Sequence, residues 1–203
     1  MPIAINGSGT LTGVSVGGLP DGIVDTDMLA NNAVTAAKAT GVGFTPEVDG
    51  YRINANYVGS ADPITQNWER FDSTWEGTGY SGASLITAST GVWTFAKTGW
   101  YYFYLQHTSE VPGGVSNGFN QFFAYVSTNS GTNWTNFCES QGWFGDNVST
   151  KYMVKSSAAL IKVADVSTYR LKVSNSAGSG SLTNKGSSTK LQTGFILLRI
   201  GDA

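Results

Sequence analysis

Seven segments of the chain carry the hydrophobic pattern of β-strands, and all of them lie beyond Phe44. Each is a short run of aromatic, aliphatic and β-branched residues, and clusters of Gly, Ser, Asn and Thr separate one run from the next. The segments are YRINANYVG, ITQNWERFD, GVWTFAKTGWYYFYLQH, FNQFFAYVST, KYMVKSSAALIKV, TYRLKVSN and TKLQTGFILLRI. No run has the period of an amphipathic helix of three turns. Many strands without helices predict an all-β sandwich or jelly roll.

The segment GWYYFYLQH differs from an ordinary half-exposed strand, in which apolar and polar residues alternate. Trp100 and Tyr102 belong to one alternating set and Tyr101 and Phe103 to the other, so both faces are aromatic. Two explanations stay open. A neighbouring subunit covers the second face, or the loops of one large sandwich cover it.

A sharp change in composition divides the chain into residues 1–43 and residues 44–203. The first part contains no aromatic residue and few charges. Its apolar residues form loose clusters whose spacing fits neither a helix nor a strand, and these are Leu19, Ile23, Met28, Leu29 and Val34. Such a segment is either a disordered tail or an extended anchor or stalk that orders against copies of itself or a partner. Because disordered tails are richer in charge and poorer in aliphatic residues, we favour the anchor.

The composition argues against several classes of function. The 203 residues have a net charge of -2, which gives no electrostatic footprint for nucleic acid or for an anionic membrane. No apolar run approaches the roughly 20 residues that cross a bilayer, and the start MPIAINGSGTLTG lacks the pattern of a signal peptide. Cys138 is the only cysteine, which excludes an intrachain disulfide, and we expect it to be a small core residue. The sequence predicts a soluble protein made in the cytoplasm.

Candidate catalytic residues are few. His107 is the only histidine, so a metal site with two histidines is excluded, and its place on an aromatic strand predicts a structural role. A glycosidase needs paired carboxylates, but Glu69 with Asp72 and Glu139 with Asp146 have no informative spacing. We therefore expect no enzymatic activity and no cofactor or metal.

Aromatic residues also lie among short polar residues between positions 111 and 150. Trp134, Trp143 and Phe144 stand among Asn, Ser, Gly and Gln, which is a typical composition of binding loops and of carbohydrate sites. The alternative is that these aromatics cap one end of the sandwich. The first interpretation makes them a candidate receptor-binding loop.

The segment SLITASTGVWTFAKTGWYYFYLQ resembles the central hairpin of the complement-type globular head, a jelly roll of the tumour necrosis factor superfamily. The matching positions are Gly91, Trp93, Gly99, Tyr101 and Phe103. Further matches follow in the family's order at Phe71 and Asp72, at Asp165, and at Gly194 and Phe195, over roughly residues 50 to 200. The chain departs from the family pattern by lacking a Pro at positions 96 to 98, by Ala164 in place of a usual Gly, and by a longer segment from 113 to 150.

This resemblance implies a homotrimer, which would place the second aromatic face against neighbouring subunits. The closing segment GFILLRI supports this, because Phe195 and Leu197 point to one face and Ile196 and Leu198 to the other. Burial of one such side chain contributes about 1.5–3 kcal/mol, so several per subunit are sufficient to hold an obligate oligomer. The strands expected to supply core and trimer interface carry Trp100, Tyr101, Tyr102, Phe103, Phe195 and Leu197.

The segment LPDGIVDTDMLANNAVTAAKA is similar to segments of bacteriophage tail and fibre proteins. Together the two resemblances imply a virion structural protein, a short trimeric fibre anchored in capsid or tail proteins by its N-terminus. Its head would attach to host-surface glycan. The alternatives are a capsid decoration protein that stabilises the shell without binding a host, and a secreted recognition module of the complement-head type.

Overall fold

The computed structural model describes residues 4–5, 11–12, 47–71, 84–115, 118–145, 149–178 and 181–203. The chain divides into two units, residues 1–43 and residues 44–203. In the first unit, strands β1 (Ala4–Ile5) and β2 (Leu11–Thr12) pair antiparallel. The candidate anchor residues Leu19, Ile23, Met28, Leu29 and Val34 lie outside the described residues. The anchoring role therefore stays a prediction.

The second unit consists of two antiparallel sheets. The seven-stranded sheet contains β3 (Glu47–Ile53), β4 (Tyr57–Val58), β5 (Trp68–Arg70), β8 (Gly99–Val111), β11 (Lys151–Val163), β13 (Thr183–Asn184) and β14 (Gly194–Gly201). The five-stranded sheet contains β6 (Ile86–Ser89), β7 (Val92–Phe95), β9 (Gly118–Ser127), β10 (Thr135–Phe144) and β12 (Arg170–Ala177). None of the described residues is helical. The predicted all-β jelly-roll sandwich is confirmed.

Strand β8 is the centre of the larger sheet. Its whole length pairs with β11 on one side, and β14 and β13 pair with successive parts of its other side. The order continues from β14 to β3 and β5, and from β13 to β4. The smaller sheet has the order β10-β9-β12-β7-β6. Because β8 is enclosed on both edges, its alternating side chains define the two faces of the larger sheet.

The core lies between the two sheets and is rich in aromatic residues. Tyr101 and Phe103 of β8 are fully buried there, as are Trp93 of β7 and Phe195 of β14. The ring centroids of Trp93 and Phe195 are 4.9 Å apart in an edge-to-face arrangement, and those of Phe103 and Phe195 are 5.4 Å apart and stacked. Such pairs contribute beyond the area that they bury, so this cluster joins the two sheets.

A buried carboxylate also links the sheets. Asp49 of β3 is fully buried, and its Oδ2 accepts hydrogen bonds from the backbone N–H groups of Leu85 (2.9 Å) and Ile86 (3.1 Å) at the start of β6. Its Oδ1 accepts a further hydrogen bond from Nε of Arg70, at 2.9 Å. A buried charge requires this degree of pairing, because a bare carboxylate in the core is very costly.

Candidate functional site

The outer face of the seven-stranded sheet is apolar. The odd-numbered side chains of β8 from Tyr101 onward point into the core, whereas Trp100 and Tyr102 are 42% and 40% exposed. In register, Tyr102 lies opposite Leu198 of β14 on one side and opposite Leu160 of β11, which is 60% exposed, on the other. Residues in direct register on neighbouring strands share a face. Large apolar side chains therefore cross the sheet in a row.

Further rows extend this surface, which we name the apolar face. Tyr104 lies between Ile196 and Ala158 in the next row. The members of the apolar face are Val48, Trp100, Tyr102, Tyr104, Tyr152, Val154, Leu160, Ile196 and Leu198. The surface is contiguous through the rows of Trp100, Tyr102 and Tyr104, and the polar row of Gln106 and Ser156 separates it from Val154 and Tyr152. Contiguous apolar surface is rare on monomers and marks an interaction site.

Within the described sheet, charged groups flank the rows through Tyr102 and Tyr104, and Arg52, which pairs with Glu69, lies in the following row, in register with Gly194 and Gln106. At one end the ammonium of Lys162 lies 5.8 Å from the ring centre of Trp100. At the other end Lys185 donates to Glu110 at 2.9 Å. The rows through Tyr102 and Tyr104 contain no charged residue. An apolar centre with a polar margin is the usual anatomy of a protein–protein interface.

The structure divides the predicted core and interface residues between the two faces. Tyr101, Phe103, Phe195 and Leu197 are fully buried between the sheets, whereas Trp100 and Tyr102 lie on the apolar face. The sequence predicted that the two sets separate, but it did not identify which set would face outward. Ile196 and Leu198 lie with the outward set, opposite Phe195 and Leu197, as their alternation predicted.

A second surface lies on the outer face of the five-stranded sheet. Phe119 of β9 and Trp143 of β10 are cross-strand partners, and their rings stack at 6.0 Å with an interplanar angle of 6°. In the neighbouring row, Nε2 of Gln121 donates to Oε1 of Gln141 at 2.7 Å. These residues, with Gly142 and with Lys155 of β11, line a groove of about 680 Å³, which we name the aromatic–amide groove.

The three residues of the candidate receptor-binding loop have different environments. Trp134 lies immediately before β10, where the ammonium of Lys172 is 5.1 Å from its ring centre. Trp143 lies near the other end of β10, about 30 Å away at the rise of an extended strand, and is 65% exposed. Phe144 is buried in a small cluster with Val111, Met153 and Leu182.

The prediction of one aromatic loop therefore needs correction. Residues 135–144 form a strand, so successive side chains point to opposite faces and Phe144 is turned away from Trp143. Trp134 and Trp143 are not brought together, and Phe144 supplies no exposed surface. Sequence reasoning missed the partners Phe119, Gln121 and Gln141, which only the register of β9 and β10 places beside Trp143.

The described candidate catalytic residues are buried or paired with other side chains of the protein. His107 is fully buried and stacks on Phe122, with ring centroids 4.6 Å apart. Burial, with a smaller contribution from Lys155, lowers the pKa of His107 to about 4. Glu69 pairs with Arg52 at 3.0 Å, and Cys138 is buried, which raises the pKa of its thiol.

The described residues contain no group of three or more His, Cys, Asp or Glu side chains placed to hold a metal ion. They also contain no helix that is long and apolar enough to cross a membrane. Asp72 and Asp146, the partners of the two candidate acid pairs, lie outside the described residues.

Comparison with solved structures gives the fold. The chain is similar to the Eiger tumour necrosis factor of S. frugiperda, with a TM-score of 0.55 and 18% identity over 78% of this chain and 94% of the other. It is also similar to murine APRIL, with a TM-score of 0.50 and 11% identity over 77% of this chain and 100% of the other. No protein-family model and no curated protein sequence matches the chain. The second unit thus has the tumour necrosis factor-like jelly-roll fold.

Proposed function

We propose that the chain is a structural protein of a bacteriophage virion, a short appendage in which three jelly-roll heads associate and attach to the host surface. The observation that carries this proposal is the apolar face. Side chains such as Tyr102 and Leu160 are about half exposed there. The protein acts by assembly and binding rather than by catalysis.

Association through the apolar face is favourable because it removes these side chains from water. Each large apolar side chain contributes about 1.5–3 kcal/mol when it is fully buried, and the face carries several per subunit. Closed symmetric assemblies bury the same patch on every copy. The number three follows from the resemblance to the complement-type head, whose strands match this chain at Gly91, Tyr101 and Phe103.

The place of the assembly in a virion rests on the first unit. Residues 19–39 are similar to segments of phage tail and fibre proteins, and their aliphatic clusters suit an anchor that orders against capsid or tail proteins. Three identical heads on one anchor raise the effective concentration of each binding site for the next. Weak contacts to host glycan therefore become useful avidity. Mass spectrometry of purified particles tests this location, and absence of the chain from them would overturn it.

The mass of the full-length protein in solution tests the assembly. Light scattering after size exclusion is expected to give the mass of three chains. Leu160→Glu places a charge on the apolar face beside Tyr102 and is expected to give single chains. The matched control is Thr94→Glu, which adds the same charge to an exposed position on the outer face of the other sheet and should leave the mass unchanged. A single-chain mass for the unaltered protein would refute the proposal.

A further inference from the structure

The aromatic–amide groove has the chemistry of a saccharide site. We propose that it binds an acidic sugar of a surface glycan, with the sugar ring on Trp143, its hydroxyls on Gln121 and Gln141, and its carboxylate toward Lys155. The assignment deepens the proposed function, on which it rests, by naming the ligand class and the residues. It also relocates the candidate receptor contacts from a loop to the outer surface of strands β9 and β10.

The flat aromatic surface is the first part of the argument. The rings of Phe119 and Trp143 are parallel, at an interplanar angle of 6°, and stack with their centroids 6.0 Å apart, so Phe119 supports the indole of Trp143, which forms the flat plate of the site. Trp143 is 65% exposed, although a large aromatic ring gains most by being covered. The apolar C–H side of a sugar ring is flat and carries partial positive charge, which suits the negative face of an aromatic ring.

The two glutamines form the second part. The 2.7 Å hydrogen bond from Nε2 of Gln121 to Oε1 of Gln141 restrains both side chains. Within the described structure it leaves the amide oxygen of Gln121 as an acceptor and the amide nitrogen of Gln141 as a donor. A sugar hydroxyl both donates and accepts, so adjacent donors and acceptors match it. Because the pair is already ordered, little conformational freedom is lost on binding.

Lys155 supplies the charge preference. It comes from β11 of the other sheet and reaches the groove beside Gln141 and Trp143. No described acidic side chain forms an ion pair with Lys155, in contrast to Lys172, which pairs with Asp62 at 2.7 Å. An ammonium without a protein counter-charge at the rim of a groove favours an anionic ligand. Among sugars, that requirement is met by those that bear a carboxylate.

Binding of the full-length protein to an array of neutral and uronic-acid-containing oligosaccharides tests the site. We expect binding to the acidic members, and Trp143→Ala should weaken it by roughly tenfold or more, because the plate is lost. Trp134→Ala is the matched control, since it removes the same side chain about 30 Å away on the same face, and it should leave binding unchanged. Trp143→Phe should retain part of the affinity.

Lys155→Gln tests the contribution of the ammonium to binding separately from that of the Trp143 ring. It should weaken binding of the acidic oligosaccharide several-fold and remove most of its dependence on salt, because that dependence comes from the ammonium. The proposal is overturned if no array member binds, if Trp143→Ala binds as well as the unaltered protein, or if neutral members bind as tightly as acidic ones. Light scattering of each variant distinguishes the two proposals, since a three-chain mass without saccharide binding refutes only the groove.

Discussion

At the scale of single residues, His107 makes the stability of the protein depend on pH. Its ring lies between the sheets against Phe122, and neither ring nitrogen has a hydrogen-bond partner among the described residues. The histidine is therefore buried in its neutral form, and its pKa falls from 6.5 to about 4. An unpartnered polar ring in a core stabilises little by itself, but it resists protonation.

Lowering the pH destabilises the folded protein, because the unfolded chain binds a proton at His107 more readily than the folded chain does. Between pH 6.5 and 4 the unfolded chain protonates His107 while the folded chain does not, so the free energy of unfolding should fall by roughly 3 kcal/mol across this range as the pH is lowered. Urea denaturation at a fixed protein concentration measures it. His107→Leu cannot titrate and should lose this part of the slope. An identical pH dependence in the variant and the unaltered protein would show that His107 is not the titrating group.

The turn between β6 and β7 requires glycine at position 91, one of the positions at which the chain resembles the complement-type head. Thr90 and Gly91 connect β6 to β7 with φ angles of 50° and 78°, the left-handed conformation that two-residue hairpin turns require. A Cβ atom at Gly91 would lie 2.3 Å from the carbonyl oxygen of Ile64. The glycine that matches the family motif is thus fixed by its conformation and by close packing.

At the scale of elements, Asp49 joins the start of β6 to the larger sheet. Asp49→Ala would leave two buried N–H groups, those of Leu85 and Ile86, without their acceptor, and would remove the carboxylate from Arg70. Breaking such a buried group typically costs about 3–5 kcal/mol, and chemical denaturation should show a loss of this size. Lys97→Gln is the control, because it removes only the exposed pair of Lys97 with Glu47 and should cost less than about 1 kcal/mol. Equal losses in the two variants would contradict this role of Asp49.

Most strands could be predicted from the sequence, but β10 could not. The long strand β11 coincides with a predicted segment, whereas β8 and β14 begin within predicted segments and extend beyond them, to Val111 and Gly201 respectively. In TNFCESQGWF, by contrast, the inward positions include Ser140 and Gly142, and the outward positions include Glu139 and Trp143. Neither face is consistently apolar, because β10 is an edge strand whose inner side meets only part of the core. The aromatic–amide groove was missed with it.

At the scale of the whole molecule, the sequence left open which aromatic set of β8 faces outward. Both sets contain large aromatic residues, so hydrophobicity alone does not distinguish them. The choice depends on partners that are distant in sequence: Trp93 and Phe195 pack in one core cluster with Phe103, whereas Leu160 and Leu198 flank Tyr102. Only the complete set of strand pairings assigns the two faces, and no local pattern contains that information.

The two outer faces of the sandwich have different chemistry, which suits two kinds of partner. The apolar face of the larger sheet lacks charge at its centre, as a face covered by identical subunits requires. The smaller sheet presents Phe119, Trp143 and two glutamines beside Lys155, which suits a polar ligand with one flat side. The proposed association through the first face would therefore leave the groove of each subunit exposed.

This separation predicts that residues 44–203 alone assemble as the full chain does. Every member of the apolar face belongs to the second unit, so the burial that drives association does not require residues 1–43. Light scattering of a chain of residues 44–203 is expected to give the mass of three copies, and Leu160→Glu should reduce it to one. A single-copy mass for the unaltered head, with a three-copy mass for the full chain, would mean that the first unit drives assembly. The apolar face would then be covered by a different partner, and the first unit would be the trimerisation element rather than only the anchor.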